Sequence, residues 1–391
     1  VNILLITQFP VPHGGGLSSH VEDLVLCLKD DEHKVELLEG GSITISTTHK
    51  LVQYFLSGGQ KDVYRDRRLK TALAKLVTCA ERLIRNNSFD LIHCHDAVAG
   101  YAAHLALTRA GRQIPVIETI HGPATYESRM MLGWTIEQSK YLQRLFNIEK
   151  EAFVQADHLI AVDTGQADIA INDFGISKKK ISVIFNCVSC RAIDSLIKDP
   201  PSVKVPQPYL LVPRRLVEKT GVRIAVEALA KLGPDTQLNL VIAGDGPLGN
   251  ALKQLAKNLG LDSRVVFLGS IPRQEVLRLA KEALAVVVPS IPTGGVIEAT
   301  SIAVIEAMAC GTAVIASDIG GLAELIGHNQ TGFLVPHSDP GALGDTILSL
   351  IRSPDQRNVV CRQARQYVLE NLDTSIWFDK VKCVYEAVLA S

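Results

Sequence analysis

The sequence has no excess of either charge, few cysteines and no long apolar run, and each shortage removes a class of function. Lysine and arginine number 40 against 41 aspartates and glutamates. Both halves are balanced as well, with 22 basic and 23 acidic groups in residues 1–200 and 18 of each in the remainder. A protein that grips a phosphate backbone concentrates positive charge, so nucleic acid is not an expected partner. Eight cysteines in 391 residues are too sparse for a disulfide framework. No window reaches about 18 consecutive apolar residues, so no membrane-spanning helix is expected. The opening VNILLITQFP lacks the basic flank of a secretory signal and reads as a strand. A cytoplasmic, water-soluble protein is therefore expected.

What is present is a rhythm of short apolar runs. VNILLIT is followed by a glycine-rich loop, an amphipathic stretch with Val21, Leu24, Val25 and Leu28 at helical spacing, and the run KVELLEG. That order is a βαβ unit. FDLIHCH, IPVIETIH, HLIAVD and KISVIFN continue the series. Lys198–Pro208 then places four prolines in 11 residues, which is a linker composition. YLLVP, LNLVIAG, RVVFLG, LAVVVPS and TAVIAS form a second series with helical patterns between them. Continuous apolar strands alternating with helices predict parallel sheets covered on both faces. The expected organisation is two doubly wound α/β domains, 1–200 and 201–370, with residues 371–391 as a final helix. Open parallel sheets bind ligands beyond the carboxyl ends of their strands, so loops after strands are where chemistry is sought.

Several such loops carry suggestive residues. Gly14, Gly15 and Gly16 lie between a strand and a helix, where backbone can approach a ligand and the helix N-terminus favours an anion; Ser18 or Ser19 could cap that helix. Gly244, Gly246 and Gly249 in AGDGPLGN fit G-x-G-x-x-G after a strand. The dinucleotide reading also wants an acid about 20 residues on, and RVVFLGS supplies none. Glu298 and Glu306 are separated by seven residues. Glu306 sits in IAVIEAMAC, a helix apolar all round and hence buried, where a carboxylate needs an ion-pair partner or a ligand hydroxyl. Arg214, Arg215 and Lys219 follow the strand YLLVP, and forked and point cations there suit a diphosphate. His121 follows the strand IPVIETI, and His93 and His95 alternate along one face of FDLIHCHD. No fourth ligand stands near that pair, so a metal is not expected; the single Cys187–Cys190 C-x-x-C likewise lacks a partner pair. No D-x-D occurs, which disfavours a nucleotide chemistry that chelates metal through that motif. Residues 61–85 are strongly basic, ordinarily a solvated helix face and alternatively a contact for a membrane surface or anionic acceptor.

Taken together, GGGLSSHVEDLVLCL, DLIHCHDAVAGYAAHLA, IETIHGP, ADHLIAV, RRLVEKTGV, AGDGP and the stretch from Glu298 through EAMACGTAVIASDIGGLAELI to TGFLVP resemble the retaining glycosyltransferases of family 4. The resemblance spans nearly the whole chain. It implies the GT-B fold, with two Rossmann-like domains facing across a cleft, a nucleotide-diphosphate-sugar donor on the C-terminal domain, and no metal or other cofactor. By this resemblance Arg214 or Arg215, with Lys219, would hold the diphosphate, and Glu306 the ribose. Glu298 would meet the sugar hydroxyls. Ser301, Ile302 and Ala303 would offer backbone amides, Gly244 would lie on the donor side, Gly15 and Gly16 would approach the diphosphate, and His121 would line the reacting sugar. His95, Asp96 and Tyr126 fall on the acceptor side, and the last helix would return to the first domain.

Two departures from the family pattern stand out. Ala299-Thr300-Ser301 replaces the usual G-F-G after the first glutamate, and Thr220 separates Lys219 from Gly221. The implied activity is metal-independent transfer of a hexose or N-acetylhexosamine, from a UDP-sugar for preference, to a hydroxyl acceptor. An NAD-linked oxidoreductase using GDGPLG and a non-catalytic sugar-nucleotide binder are the competing readings.

Overall fold

The computed structural model describes residues 1–12, 16–43, 60–233 and 236–391. The chain forms two compact units, one of Val1–Phe185 with Trp377–Ser391 and one of Asn186–Ile376. The proline-rich stretch lies inside the second unit, where the Ser202 backbone amide donates to the Glu275 carboxylate at 2.8 Å.

The first unit runs β1 (Asn2–Ile6), α1 (Gly16–Asp30), β2 (Lys34–Leu38), α2 (Lys61–Asn86), β3 (Leu91–Cys94), α3 (Ala97–Ala110), β4 (Val116–Ile120), α4 (Ala124–Leu132), α5 (Lys140–Gln155), β5 (His158–Ala161), α6 (Thr164–Asn172) and β6 (Ile181–Val183). Its six strands pair in parallel in the order β2-β1-β3-β4-β5-β6. The interior strands read as unbroken apolar runs because helices cover both faces, and every residue of β3 and β4 is buried. Helix α3 is alanine-rich for the same reason. Ala99, Ala102, Ala103 and Ala106 are fully buried, and small side chains let α3 pack closely on α2 and α5. The Asp96 side chain caps it, accepting from Ala99 N at 2.9 Å, a bond worth about 1 kcal/mol.

The second unit runs α7 (Cys190–Leu196), β7 (Tyr209–Val212), α8 (Val222–Lys231), β8 (Asn239–Ala243), α9 (Gly249–Asn258), β9 (Val265–Gly269), α10 (Arg273–Glu282), β10 (Ala285–Val288), α11 (Ile302–Ala309), β11 (Val314–Ser317), α12 (Gly320–Leu325), β12 (Phe333–Val335), α13 (Pro340–Arg352) and α14 (Pro354–Asn371). Its parallel strand order is β12-β11-β10-β7-β8-β9. The closing helix α15 (Thr374–Leu389) leaves the second unit, and from Trp377 onward it belongs to the first. Among the described residues no helix is long and apolar enough to cross a membrane.

Strand order reverses direction between β1 and β3 in the first unit and between β7 and β10 in the second. At such a switch point the flanking loops part to opposite faces and leave a crevice for a ligand. The loops after β1, β3, β7 and β10 are therefore the places to look for chemistry.

Candidate functional site

In the second unit the switch-point loops meet in one polar cluster. Arg214, just after β7, is its hub. Its guanidinium donates to Glu298 Oε1 at 2.6 Å, to Ser290 Oγ at 3.1 Å and to Ser301 Oγ at 3.1 Å. The Arg214 and Glu298 side chains are 10% and 13% exposed, so both charges are largely withdrawn from water and depend on each other. Arg214 Nε is buried and meets no acceptor among the described residues. Arg215 is exposed. Of the two arginines that the sequence leaves open, Arg214 is the one the fold places in the cluster.

The loop carrying Arg214 is tied down locally. Thr220 Oγ1 donates to the Arg215 carbonyl at 2.7 Å, and Ile291 N donates to the Lys219 carbonyl at 2.9 Å, joining the loops after β7 and β10. Lys219 is half-buried in the short 3-10 turn Glu218–Thr220. Gly221 enters α8 at φ +61°, and a Cβ there would stand 1.8 Å from the Pro289 carbonyl oxygen. Gly221→Ala is expected to cost at least about 2 kcal/mol through left-handed strain and this contact. A urea midpoint equal to that of wild type would contradict the close approach.

The GDGPLG glycines have a local task. A Cβ on Gly244 would lie 1.9 Å from the Arg214 carbonyl oxygen, and one on Gly246 would lie 2.5 Å from that of Leu216. Leu216 N donates to the Asp245 carbonyl at 2.9 Å, and Leu248 N to the Leu216 carbonyl at 3.0 Å. These glycines let two loops pack backbone on backbone beneath Arg214. That packing accounts for the motif without a dinucleotide.

Ser301 is the N-cap residue of α11, but its side chain makes no capping bond; it accepts from Arg214 instead. The first turn of α11, with Ile302 and Ala303, thus opens beside the Arg214 cluster. Asn186 Nδ2 donates to both the Thr300 carbonyl and Thr300 Oγ1, fixing the turn between Glu298 and the helix. Gly321 N donates to the Glu298 carbonyl at 2.9 Å. Farther along α11, Glu306 is buried among Val304, Ile305, Ala307 and Met308. Burial pushes its carboxyl above the ordinary range, while Arg273 pulls in the opposite direction. Arg273 Nε donates to Glu306 Oε1 at 2.5 Å. The partner that this carboxylate required is therefore an arginine from the first turn of α10. No sequence signal linked IPRQE to Glu306, and none linked Ser290 to Arg214 beyond its position after the strand LAVVVPS.

In the first unit the corresponding loops gather histidines. Helix α1 brings His20 beside His95 and His121, at ring-centroid distances of 5.4 and 4.6 Å. His95 lies tilted against His93 at a centroid distance of 4.3 Å and stacks with His121 at 5.9 Å. From α15, Trp377 packs 4.9 Å from His20. The Tyr385 hydroxyl and His93 Nδ1 share a hydrogen bond of 2.7 Å, and His93 Nε2 pairs with Thr119 Oγ1 at 2.8 Å. Burial first, and then the neighbouring imidazoles, hold His95 and His121 well below the usual histidine range; burial and His20 take His93 down to about 3. All three are neutral at pH 7. Ligand nitrogens of His20, His95 and His121 lie within 4.8 Å of one another. A tetrahedral zinc with bonds of about 2.0–2.1 Å would draw its nitrogens to about 3.3 Å, so the trio is looser than a closed zinc site.

The other residues singled out in this unit have structural partners. Asp96 accepts from Thr7 Oγ1 at 3.0 Å and from Gln8 N at 2.7 Å as well as capping α3. It clasps the loops after β1 and β3 at the switch point. The Tyr126 hydroxyl donates to Asp173 at 2.8 Å, and burial, then Asp173, pushes its phenol up to about 12. Gly16 is the first residue of α1, so Ser18 and Ser19 lie inside the first turn rather than before it, and neither occupies the N-cap position expected of them. Gly14 and Gly15 lie outside the described residues.

Two parallel six-stranded sheets, each flanked by helices and each with its polar cluster at a switch point, are the pair of Rossmann-like domains that make up the GT-B fold. The family models agree. Residues 14–191 match "Glycosyltransferase Family 4" and residues 195–367 match "Glycosyl transferases group 1". The chain belongs to the family 4 glycosyltransferases. It is 24% identical over 393 residues to an N-acetyl-alpha-D-glucosaminyl L-malate synthase of Bacillus anthracis, covering 98% of this chain and 96% of that one. A sucrose-phosphate synthase of Thermosynechococcus elongatus superposes with a TM-score of 0.77 at 20% identity, covering 100% of both chains. The HepE protein of Anabaena, solved in complex with UDP-glucose, superposes with a TM-score of 0.71 at 20% identity and 99% coverage of both chains.

Proposed function

We propose that this glycosyltransferase is retaining, needs no metal, and moves a hexose or N-acetylhexosamine from a UDP-sugar to a hydroxyl acceptor. The observation that carries the reading is the Arg214 cluster. A nearly buried guanidinium is held by Glu298, Ser290 and Ser301, beside a helix whose N-cap side chain leaves the first-turn amides uncapped. The UDP-glucose complex of HepE and the N-acetylglucosaminyl chemistry in the name of the Bacillus relative support the donor class.

As the sugar–phosphate bond breaks, negative charge builds on the departing diphosphate. Arg214, Lys219 and the α11 N-terminus stabilise that charge, and because Arg214 is already held in place it needs little reorganisation at the moment of reaction. These three supply the positive field that a divalent cation would otherwise provide. Glu298 keeps Oε2 for the hydroxyls of the donor sugar, and Glu306 keeps its second oxygen for those of the ribose. His121, neutral and half-buried, lines the sugar without adding charge, and His95, Asp96 and Tyr126 belong to the acceptor side. Retention follows when the acceptor attacks the face the diphosphate leaves and the leaving phosphate takes the acceptor's proton. That route asks no side chain to act as a general base.

A thermal-shift panel in EDTA tests the donor. A ligand at 1,000 times its Kd stabilises the native state by about 4 kcal/mol. UDP and a UDP-sugar are expected to raise the melting temperature, and NAD is not. A shift with NAD alone, or a UDP shift that appears only on adding Mg2+ or Mn2+, would overturn the reading.

A further inference from the structure

The two histidines of FDLIHCHD have different surroundings in the fold. His93 uses both ring nitrogens, one on the Tyr385 hydroxyl and one on Thr119 Oγ1, and is a satisfied core residue. His95 is fully buried, and neither of its nitrogens meets a hydrogen-bond partner among the described residues. His121 Nε2 is buried and meets none either. Buried polar atoms are nearly always paired, so neighbouring rings left in this way point to a ligand.

What the two rings face is a third imidazole. Helix α1 brings in His20, and one ligand nitrogen from each of the three rings lies within 4.8 Å of the other two. The three come from α1, the loop after β3 and the loop after β4, so the fold rather than local spacing assembles them. The neighbouring carboxylate, Asp96, stays outside the set and accepts from Thr7, Gln8 and Ala99. Imidazoles without an oxygen ligand suit zinc, cobalt, nickel or copper rather than magnesium, calcium or manganese. His95 and His121 are held neutral at pH 7 by burial, the state in which a histidine ligates. His121 is only half-buried, which leaves a side from which an ion and its water can enter.

We propose that His20, His95 and His121 form a binding site for one transition-metal dication of the zinc class, with water in the fourth place. Drawing the nitrogens in from 4.8 Å to the roughly 3.3 Å of a tetrahedral zinc asks each to move by about 0.75 Å. A swing of the ring within one rotamer well supplies that movement. The trio lies in the first unit and Arg214 and Lys219 in the second, so the site stands apart from the charge stabilisation proposed above.

The test is a Co2+ titration of the tag-free full chain after treatment with EDTA and desalting. One ion per chain is expected to bind with the strong visible absorption of four- or five-coordinate cobalt. Zn2+, higher in the affinity order, is expected to displace it and abolish the colour. His20→Phe and His95→Phe keep an aromatic ring in the packing and remove the nitrogens. Each should weaken Zn2+ binding by at least about 100-fold, since losing a mere supporting contact to a ligand already costs about 10- to 100-fold. A control with His33→Gln and His337→Gln, which removes imidazoles outside the trio, should bind as wild type does. The proposal fails if cobalt keeps its pale six-coordinate spectrum, or if the trio variants bind as tightly as the control. It fails too if a near-ultraviolet thiolate band assigns the ion to a cysteine such as the exposed Cys383. Should the trio variants not fold, zinc X-ray absorption on wild type decides. Three imidazole nitrogens at about 2.0–2.1 Å are expected, and fewer than three, or any sulfur, overturns the proposal.

Discussion

Arg214→Met is expected to lower the transfer rate by about 100- to 1,000-fold, the usual consequence of removing one preorganised donor from a site where charge develops. The same change strands Glu298 in a nearly buried position, so stability should fall too, by about 3 kcal/mol, as when one member of a buried pair is removed. The two effects separate in the double variant Arg214→Met/Glu298→Gln. It should recover most of the stability, because neither charge remains to be compensated, and none of the rate. Steady-state kinetics and urea unfolding measured on one set of variants decide the matter. A single variant that keeps its rate removes Arg214 from the chemistry. A double variant as unstable as the single one shows that the ion pair is not what the cluster relies on.

The second large effect concerns Glu118, in the middle of β4. Its carboxyl is 1% exposed and neither oxygen finds a hydrogen-bond partner among the described residues. It presses against α3, where a Cβ on Gly100 would stand 2.2 Å from Oε2. Burial, and then the charges of Asp96 and Glu149, raise it well above the ordinary carboxyl range. The folded protein thus holds a proton that the unfolded chain releases near pH 4.5. Stability from this group is complete below that pH and declines as pH rises toward the folded value, by about 1.4 kcal/mol for each pH unit. Glu118→Gln removes the titration and keeps the shape. Its stability relative to wild type should therefore climb as the pH is raised above about 5, on top of a constant offset for an unpaired amide. Parallel pH profiles for the two proteins would show that Glu118 ionises in the fold without penalty.

Much of the scaffold could be read from the sequence because burial on both faces leaves strands as plain apolar runs. FDLIHCH, IPVIETIH and LAVVVPS needed only that rule. The short strand Phe333–Val335 was visible only within the TGFLVP motif, because three residues are too few to show a period. At the site, Arg214, Lys219 and Glu298 could be singled out because each lies just after a strand or before a helix, positions that topology turns toward a crevice. Their partners could not. Glu306 demanded a counter-charge from its apolar helix, but Arg273 comes from another element 33 residues away in sequence. Only packing shows that pairing. The glycines of GDGPLG are the inverse case. A strong local pattern was present, but what it serves, two carbonyl oxygens from residues 214 and 216, lies across the sheet. The His20, His95 and His121 cluster was missed for a similar reason, since its members come from three segments that meet beyond the carboxyl ends of the central strands.

The return of α15 has a consequence for how the protein is made. The first sheet is complete in the nascent chain once Val183 has emerged, but Trp377 and Tyr385, which close over His20 and His93, follow only after the whole second unit has been translated. At about 5–20 residues per second, the ribosome takes on the order of ten seconds or more to span the gap. For that time the first unit stands with buried imidazoles open to water, while the second, contiguous in sequence from Asn186 to Ile376, can fold as its own segment is finished. Native assembly should thus end in the first unit, after the second has folded. A stalled chain that stops before Trp377 should expose the first unit to proteases and chaperones far more than the second.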